Sequence, residues 1–133
     1  MTTKAVRKPA PIRIFLVDDS ELILRLVPLC LSMERVKIIG MAKNAEDALE
    51  EIEATRPDLV IADVCLPGMD GVTMATELRR VDPQARIILI SVDKLRSPLP
   101  PRQQCADAFV AKLDLAEDLA PTIRLLFPKI FSR

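Results

Sequence analysis

Half of the 133 residues are apolar and the 19 bases balance the 19 acids, so the chain can build one sizeable core and has no net charge to draw it to nucleic acid or a membrane surface. No histidine occurs, which removes His-based acid–base catalysis, imidazole ligation of zinc and a Ser-His-Asp triad. Cys30, Cys65 and Cys105 are odd in number and widely spaced, with no CxxC pair; a disulfide framework or zinc site is not expected, and a reducing cytoplasm fits better.

Residues 1–11 read as a flexible basic tail. Lys4, Arg7, Lys8 and Arg13 face no acid before residue 14, which leaves 15 bases against 19 acids, a net −4, on residues 14–133. Neither the apolar stretch of a signal peptide nor the roughly 18 apolar residues of a membrane span is present in the sequence. Ile12 to Val17 is a short apolar run that stops at Asp18-Asp19-Ser20, a strand ending in an acidic loop. Ser20 then N-caps a helix to about Ser32, which Pro28 should kink. Val36 to Ala42 reads as strand and Asn44 to Thr55 as helix, with Ala45, Ala48, Leu49 and Ile52 at helical spacing before Arg56-Pro57 breaks it. Leu59 to Asp63 is strand, Val72 to Val81 helix, Arg86 to Ser91 strand and Asp107 to Ala111 strand. Asp114 to Phe127 is the last helix, with Asp114 and Glu117 spaced as a capping box and Pro121 as a second possible kink. Strands alternating with helices over short links specify a parallel sheet covered on both faces.

The stretch IADVCLPGMDG, residues 61–71, is the most informative. It sets Asp63 at the end of an apolar run and then turns through Pro67-Gly68. A carboxylate there costs desolvation unless its charge is compensated, so Asp63 either caps a loop or shares a site with a metal or a basic partner. In a parallel sheet all strand carboxyl ends lie on one edge, where ligands collect. Asp18-Asp19, Asp63 and Ser91 end three strands, and Lys112 follows a fourth. Each alone has a plain reading, a cap or a solvated side chain. Together, on one rim, they read as a site.

VDDSE, DLVIADVCLPGMDG, RIILIS and DAFVAKL stand in an order and at separations that make residues 12–128 resemble the receiver domain of two-component response regulators. The resemblance implies a doubly wound five-stranded α/β sheet of order 2-1-3-4-5, flavodoxin-like, with helices on both faces. It implies that Asp63 accepts a phosphoryl group from a histidine kinase or a histidine phosphotransfer protein. Mg²⁺ would be held by Asp18, Asp19, Asp63 and the backbone carbonyl of Cys65, an all-oxygen set that suits the ion. Lys112 would pair first with Asp63 and then with a phosphoryl oxygen. Ser91 is the expected switch hydroxyl and Phe109 the switch aromatic coupled to it, a core aromatic being the plain alternative.

Several positions depart from the family pattern. Leu113 follows Lys112 where proline is usual, which removes the expected basis for a cis bond there. Val92 is bulkier than the small residue common beside the switch serine, and is read as a shield against small donors and water. Pro98, Pro100 and Pro101 leave room for about one turn where the family runs its fourth helix, so no full-length helix is expected over residues 95–106 and the nearby signalling face is remodelled. In SELILRLVPLCLS the first helix is apolar on most sides. Leu22, Leu26 and Leu29 are read either as the patch that docks a phosphodonor or, preferred for a helix apolar all round, as core. The cysteines are read as small buried hydrophobes.

The reading is a stand-alone phosphorylatable switch without an output domain, with a C-terminal tail over 129–133. It acts through an unknown downstream protein and touches neither nucleic acid nor membrane directly. The rivals are a receiver fold that binds partners constitutively and a Mg²⁺-dependent aspartyl-phosphate hydrolase. Hydrolases of that type carry an acid two residues after the nucleophile, where this chain has Cys65, so turnover catalysis is not expected.

Overall fold

A computed structural model describes residues 10–32, 34–92 and 105–131 of the chain. In chain order these form β1 (Ile12–Val17), α1 (Glu21–Cys30), β2 (Val36–Ala42), α2 (Ala45–Thr55), β3 (Leu59–Asp63), α3 (Gly71–Val81), β4 (Arg86–Ser91), β5 (Ala108–Ala111), α4 (Leu115–Leu126) and the short α5 (Pro128–Phe131). The five strands are all parallel in the order β2-β1-β3-β4-β5. The expected architecture is therefore the observed one.

Period-two alternation divides the core. Phe15, Val17, Val60, Ala62, Ile87 and Leu89 point to the face covered by α2 and α3, while Ile14, Leu16, Leu59, Ile61, Ile88 and Ile90 point to the face covered by α1 and α4. Because both faces of the central strands β1, β3 and β4 are buried, these strands show little polar alternation and read as nearly continuous apolar runs. The β1–β2 register shifts between Ile14 and Phe15, so that Phe15 faces Gly40. A side chain at Gly40 would meet the Phe15 ring at 2.5 Å, so the fully buried phenylalanine takes space that only glycine leaves open.

Ser20 caps α1 as expected, its hydroxyl accepting the Ile23 N–H at 3.3 Å. Asn44 and Asp70 do the same for α2 and α3, accepting from Asp47 and Thr73 at 2.8 and 2.7 Å. Helix α1 runs through Pro28 but ends at Cys30, short of Ser32, where the Leu31 N–H turns back to the Val27 and Pro28 carbonyls. The Asp114–Glu117 capping box does not form. Lys112–Asp114 is a 3₁₀ turn in which the Leu115 N–H bonds the Lys112 carbonyl, and Asp114 is not in the extended conformation that aims a cap. Beyond Phe127 the chain makes one more helical turn, with Pro128 at a first position where its missing N–H costs nothing.

The core reading of the α1 leucines is also corrected. Leu22 and Leu29 are 69% and 70% exposed, and Leu26 is partly buried. Ile23, Leu24 and Val27 face the sheet instead. Cys30 and Cys105 are half-buried but Cys65 is exposed, contrary to the reading of all three as buried. The expectation for residues 95–106 falls mostly on positions outside the described residues. No helix among the described residues is long and apolar enough to cross a membrane.

Candidate functional site

The carboxyl-terminal edge of the sheet brings the acids together. Asp18 follows β1 with its N–H bonded to the Ala42 carbonyl, and Asp63 ends β3 on the neighbouring strand. Asp18 and Asp63 are 1% and 3% exposed, whereas Asp19 is open to solvent. Carboxylate oxygens of Asp18, Asp19 and Asp63 all lie within 4.8 Å of one another.

Lys112, carried just past β5, reaches into this cluster. Its Nζ is 3.1 Å from Asp63 Oδ2 and 3.0 Å from Asp18 Oδ2. Only the contact to Asp63 is an aligned hydrogen bond; Asp18 Oδ2 is buried and receives none, so its attraction to the ammonium is electrostatic. The other oxygens take backbone donors, Ser20 N–H to Asp18 Oδ1 at 2.8 Å and Cys65 N–H to Asp63 Oδ1 at 3.1 Å.

Burial pushes the Asp18 carboxyl above its ordinary range, and the nearby charge of Asp63 adds to this; the Ser20 amide and Lys112 pull the other way without cancelling it. At Lys112 burial favours the neutral amine, but pairing with Asp18 and Asp63 outweighs it and holds the ammonium above the usual lysine range. The same pairing thus overcomes burial at the lysine and fails to do so at Asp18. Lys112 has two carboxylates acting on it together, whereas Asp18 has one ammonium, shared with Asp63, and the like charge of Asp63 beside it. A clustered all-oxygen set, an unaligned buried oxygen and excess negative charge fit a hard divalent cation such as Mg²⁺. Asp18, Asp19 and Asp63 are the side chains that could hold such an ion.

Ser91 ends β4, buried to 7% exposure, and pairs in register with Ala111. Phe109 is partly buried, pairs with Leu89 and packs against the core on the α2–α3 face. Alternation puts Ser91 and Leu89 on one face, so the serine and the aromatic share a side of the sheet. Val92 and Leu113 are 61% and 81% exposed on the loops beyond β4 and β5. Asp18, Asp19, Asp63 and Lys112 are thus brought together at one edge, Ser91 ends a strand on that same edge, and Phe109 lies within β5, two residues before its end. Cys65 contributes an amide to Asp63, and its side chain faces solvent.

One important position escaped sequence reading. Gly71 opens α3 so close to Asp63 that a Cβ would lie 2.0 Å from the Asp63 carbonyl oxygen. The available signal was a glycine directly after the helix cap Asp70. Gly68 differs in kind, being the turn residue at φ 74°.

A family model for the response regulator receiver domain matches residues 14–119. The chemotaxis protein CheY of Bacillus subtilis is 35% identical over 79 residues, covering 59% of this chain and 66% of that protein. The response regulator GacA of Pseudomonas viridiflava is 28% identical over 119 residues, covering 87% of this chain and 55% of that protein. The chain thus spans about two thirds or less of the length of these curated relatives. Among solved structures, the receiver domain of the putative response regulator NarL from Mycobacterium tuberculosis superposes with a TM-score of 0.76 at 27% identity, covering 94% of this chain and all of that one. The CheX–CheY–BeF₃–Mg²⁺ complex from Borrelia burgdorferi gives a TM-score of 0.76 at 27% identity, over 87% of this chain and 90% of that one. With the strand order, the acidic edge and a family match over most of its length all in agreement, this chain belongs to the response regulator receiver domain family of two-component signalling.

Proposed function

We propose that the chain is a phosphoryl-accepting switch in which Asp63 takes a phosphoryl group from a histidine kinase or a histidine phosphotransfer protein. The observation that carries this reading is the Lys112 ammonium, which contacts both Asp18 and Asp63 inside the acidic cluster. In the transfer, the donor's phosphorus–nitrogen bond breaks as an Asp63 oxygen bonds to phosphorus, and the departing imidazole regains a proton from solvent. Such transfers depend mainly on positioning and charge compensation. Asp18, Asp19, Asp63 and the Cys65 carbonyl would hold Mg²⁺, which when bound supplies positive charge against the carboxylates and the phosphoryl oxygens. Lys112 leaves Asp63 for a phosphoryl oxygen as its partner's charge is consumed. The Ser91 hydroxyl donates to another phosphoryl oxygen, and Phe109, on the same side of the sheet, follows it and changes the face offered to a downstream protein.

The role is that of an acceptor assisting its own phosphorylation and slow dephosphorylation. Turnover hydrolysis is disfavoured by Cys65 at the position where an acid would serve. Three free, separated cysteines support a reducing cytoplasm as the setting. Direct contact with nucleic acid or membrane is not part of the reading.

The test is a beryllofluoride titration with Mg²⁺ followed by NMR, since the chain has no Trp or Tyr. Wild type should show saturable shifts at Ser91, Phe109 and Lys112, and Asp63→Asn none. Equal responses from the two proteins, or none from wild type, would leave a constitutive binding module.

A further inference from the structure

The strand that carries Lys112 is weakly specified by its own side chains. β5 has four residues and pairs with β4 at the edge of the sheet, and Val110 is the one fully buried member. Register is set by a strong apolar alternation, which Ala-Phe-Val-Ala scarcely supplies. A slip of one residue would move Lys112 about 3.3 Å along the sheet and turn each β5 side chain to the opposite face. Helix α4 is anchored through Leu115, Leu119 and Ile123, but the 3₁₀ turn between it and β5 can absorb such a slip.

A pin lies at the far end of the strand. Asp107, just before β5, donates its N–H to the Ile87 carbonyl at 2.8 Å, and its Oδ2 accepts the Ile87 N–H at 2.7 Å. This reciprocal pair fixes Asp107 opposite Ile87, one step ahead of the Ala108–Ile88 pair. Arg79, in the third turn of α3, locks it. Its Nη2 donates to Asp107 Oδ2 at 2.8 Å and to the Cys105 carbonyl at 3.0 Å, with Nε on that carbonyl at 3.2 Å. Its Nη1 reaches the Pro83 and Ala85 carbonyls on the link into β4. The two side chains are 27% and 22% exposed, so solvent screens the pair less than it would a surface one. One planar guanidinium joins α3, the entry to β4 and the entry to β5, a task that needs its fixed fork of donors.

We propose that Arg79 and Asp107 are positioning residues for Lys112, holding β5 in register from the opposite edge of the sheet so that the ammonium arrives between Asp18 and Asp63. The inference rests on the phosphoacceptor reading of that site. The test measures Mg²⁺-dependent phosphorylation by acetyl phosphate in Arg79→Gln and Asp107→Asn, each alone and combined with Lys112→Ala, with urea midpoints and Mg²⁺ affinity alongside. Each single change should slow phosphorylation by more than about tenfold, approaching the roughly hundredfold penalty of a group misplaced by 1 Å. In the Lys112→Ala background the same change should alter the rate by less than about twofold, because its effect is already spent. Arg79→Lys should not rescue, and Mg²⁺ affinity, set by the acids, should stay within about twofold of wild type. Equal losses in both backgrounds, or wild-type rates in both single variants, would overturn the proposal while leaving the site reading intact. If Lys112→Ala alone left the rate unchanged, the assigned role of the lysine would fail and this inference with it. Asp107→Asn retains an oxygen for the Ile87 N–H, so a failure of Arg79→Gln to fold would still leave one arm to decide.

Discussion

Replacing Gly71 by alanine probes how tightly α3 is pressed onto the acidic edge. The added Cβ would sit 2.0 Å from the Asp63 carbonyl oxygen, 2.9 Å from its carbon and 3.0 Å from Val64 Cα. All three are backbone atoms, so no side-chain rotation can relieve the contact, and the helix start or the end of β3 must shift by more than about 1 Å to restore ordinary separations. Overpacking of this kind costs about 1–3 kcal/mol. The 2.9 Å bond from the Gly71 N–H to the Val64 carbonyl would be strained as well, adding about 1 kcal/mol. Better helix propensity returns at most about 1 kcal/mol. The net expectation is a loss of about 2 kcal/mol, with the urea midpoint read by far-UV circular dichroism because tryptophan is absent. Since the displaced carbonyl belongs to Asp63, the beryllofluoride response should weaken as well. A variant within about 0.5 kcal/mol of wild type, the usual range for inconsequential surface changes, and with an unaltered response would refute the close-approach argument.

Gly68→Ala should behave differently: its Cβ meets only the end of the Glu46 side chain at 3.4 Å, so the cost is the positive φ, about 1–2 kcal/mol, with Mg²⁺ binding retained. Asp18→Asn should weaken Mg²⁺ binding more than about tenfold, a loss of one charged ligand, while raising stability in EDTA. Because burial raises the Asp18 carboxyl above 3.8, the ionised form is the one penalised by folding; the gain should be full above the raised value and fade as pH falls from there towards 3.8, which urea midpoints across that range would show. Burial also raises the Cys30 thiol above 9.0, so less thiolate forms at pH 8 and iodoacetamide should label exposed Cys65 before Cys30, the reverse order in peptide mapping counting against the burial assignment. Val92→Ala should accelerate acetyl phosphate labelling of Asp63 if the exposed valine shields the site, and a slower variant would remove that role.

What the sequence made legible follows from how strongly each feature is over-determined. Ile87-Ile88-Leu89-Ile90 could be read as a strand because two cores bury it from opposite sides, and the acids could be grouped because parallel strands end on one edge. The strand order came from the family resemblance, as no residue pattern encodes which strand neighbours which. Periodicity failed at α1 for the opposite reason: with leucines on nearly every side there is no polar contrast to mark the exposed face, so Leu22 and Leu29 looked like core. At Asp114 a valid capping pattern lost to the 3₁₀ turn through which the chain leaves β5. The Arg79–Asp107 clasp could not be seen at all, since it joins residues whose proximity exists only once β4 and β5 are paired.

The two edges of the sheet are built on opposing electrostatic terms. At the amino-terminal edge, charges are matched and carbonyls are capped: Arg13 closes the end of α2 through the Thr55 and Arg56 carbonyls, and Arg79 closes the β4 and β5 entries. At the carboxyl-terminal edge, three carboxylates cluster, two of them share the Lys112 ammonium, and a buried Asp18 oxygen receives no aligned donor. Burying Asp18 there carries a desolvation cost that its shared contact with Lys112 and the Ser20 amide does not fully offset, which is why its carboxyl is held above the usual range. The deficit makes sense as stored affinity. On the proposed reading, a divalent cation entering the cluster would add positive charge beside Asp18 and recover part of that cost. On the proposed reading, the Arg79–Asp107 edge keeps the strands in register while the acidic edge accepts the phosphoryl group, so the site is poised without loosening the sheet that presents it.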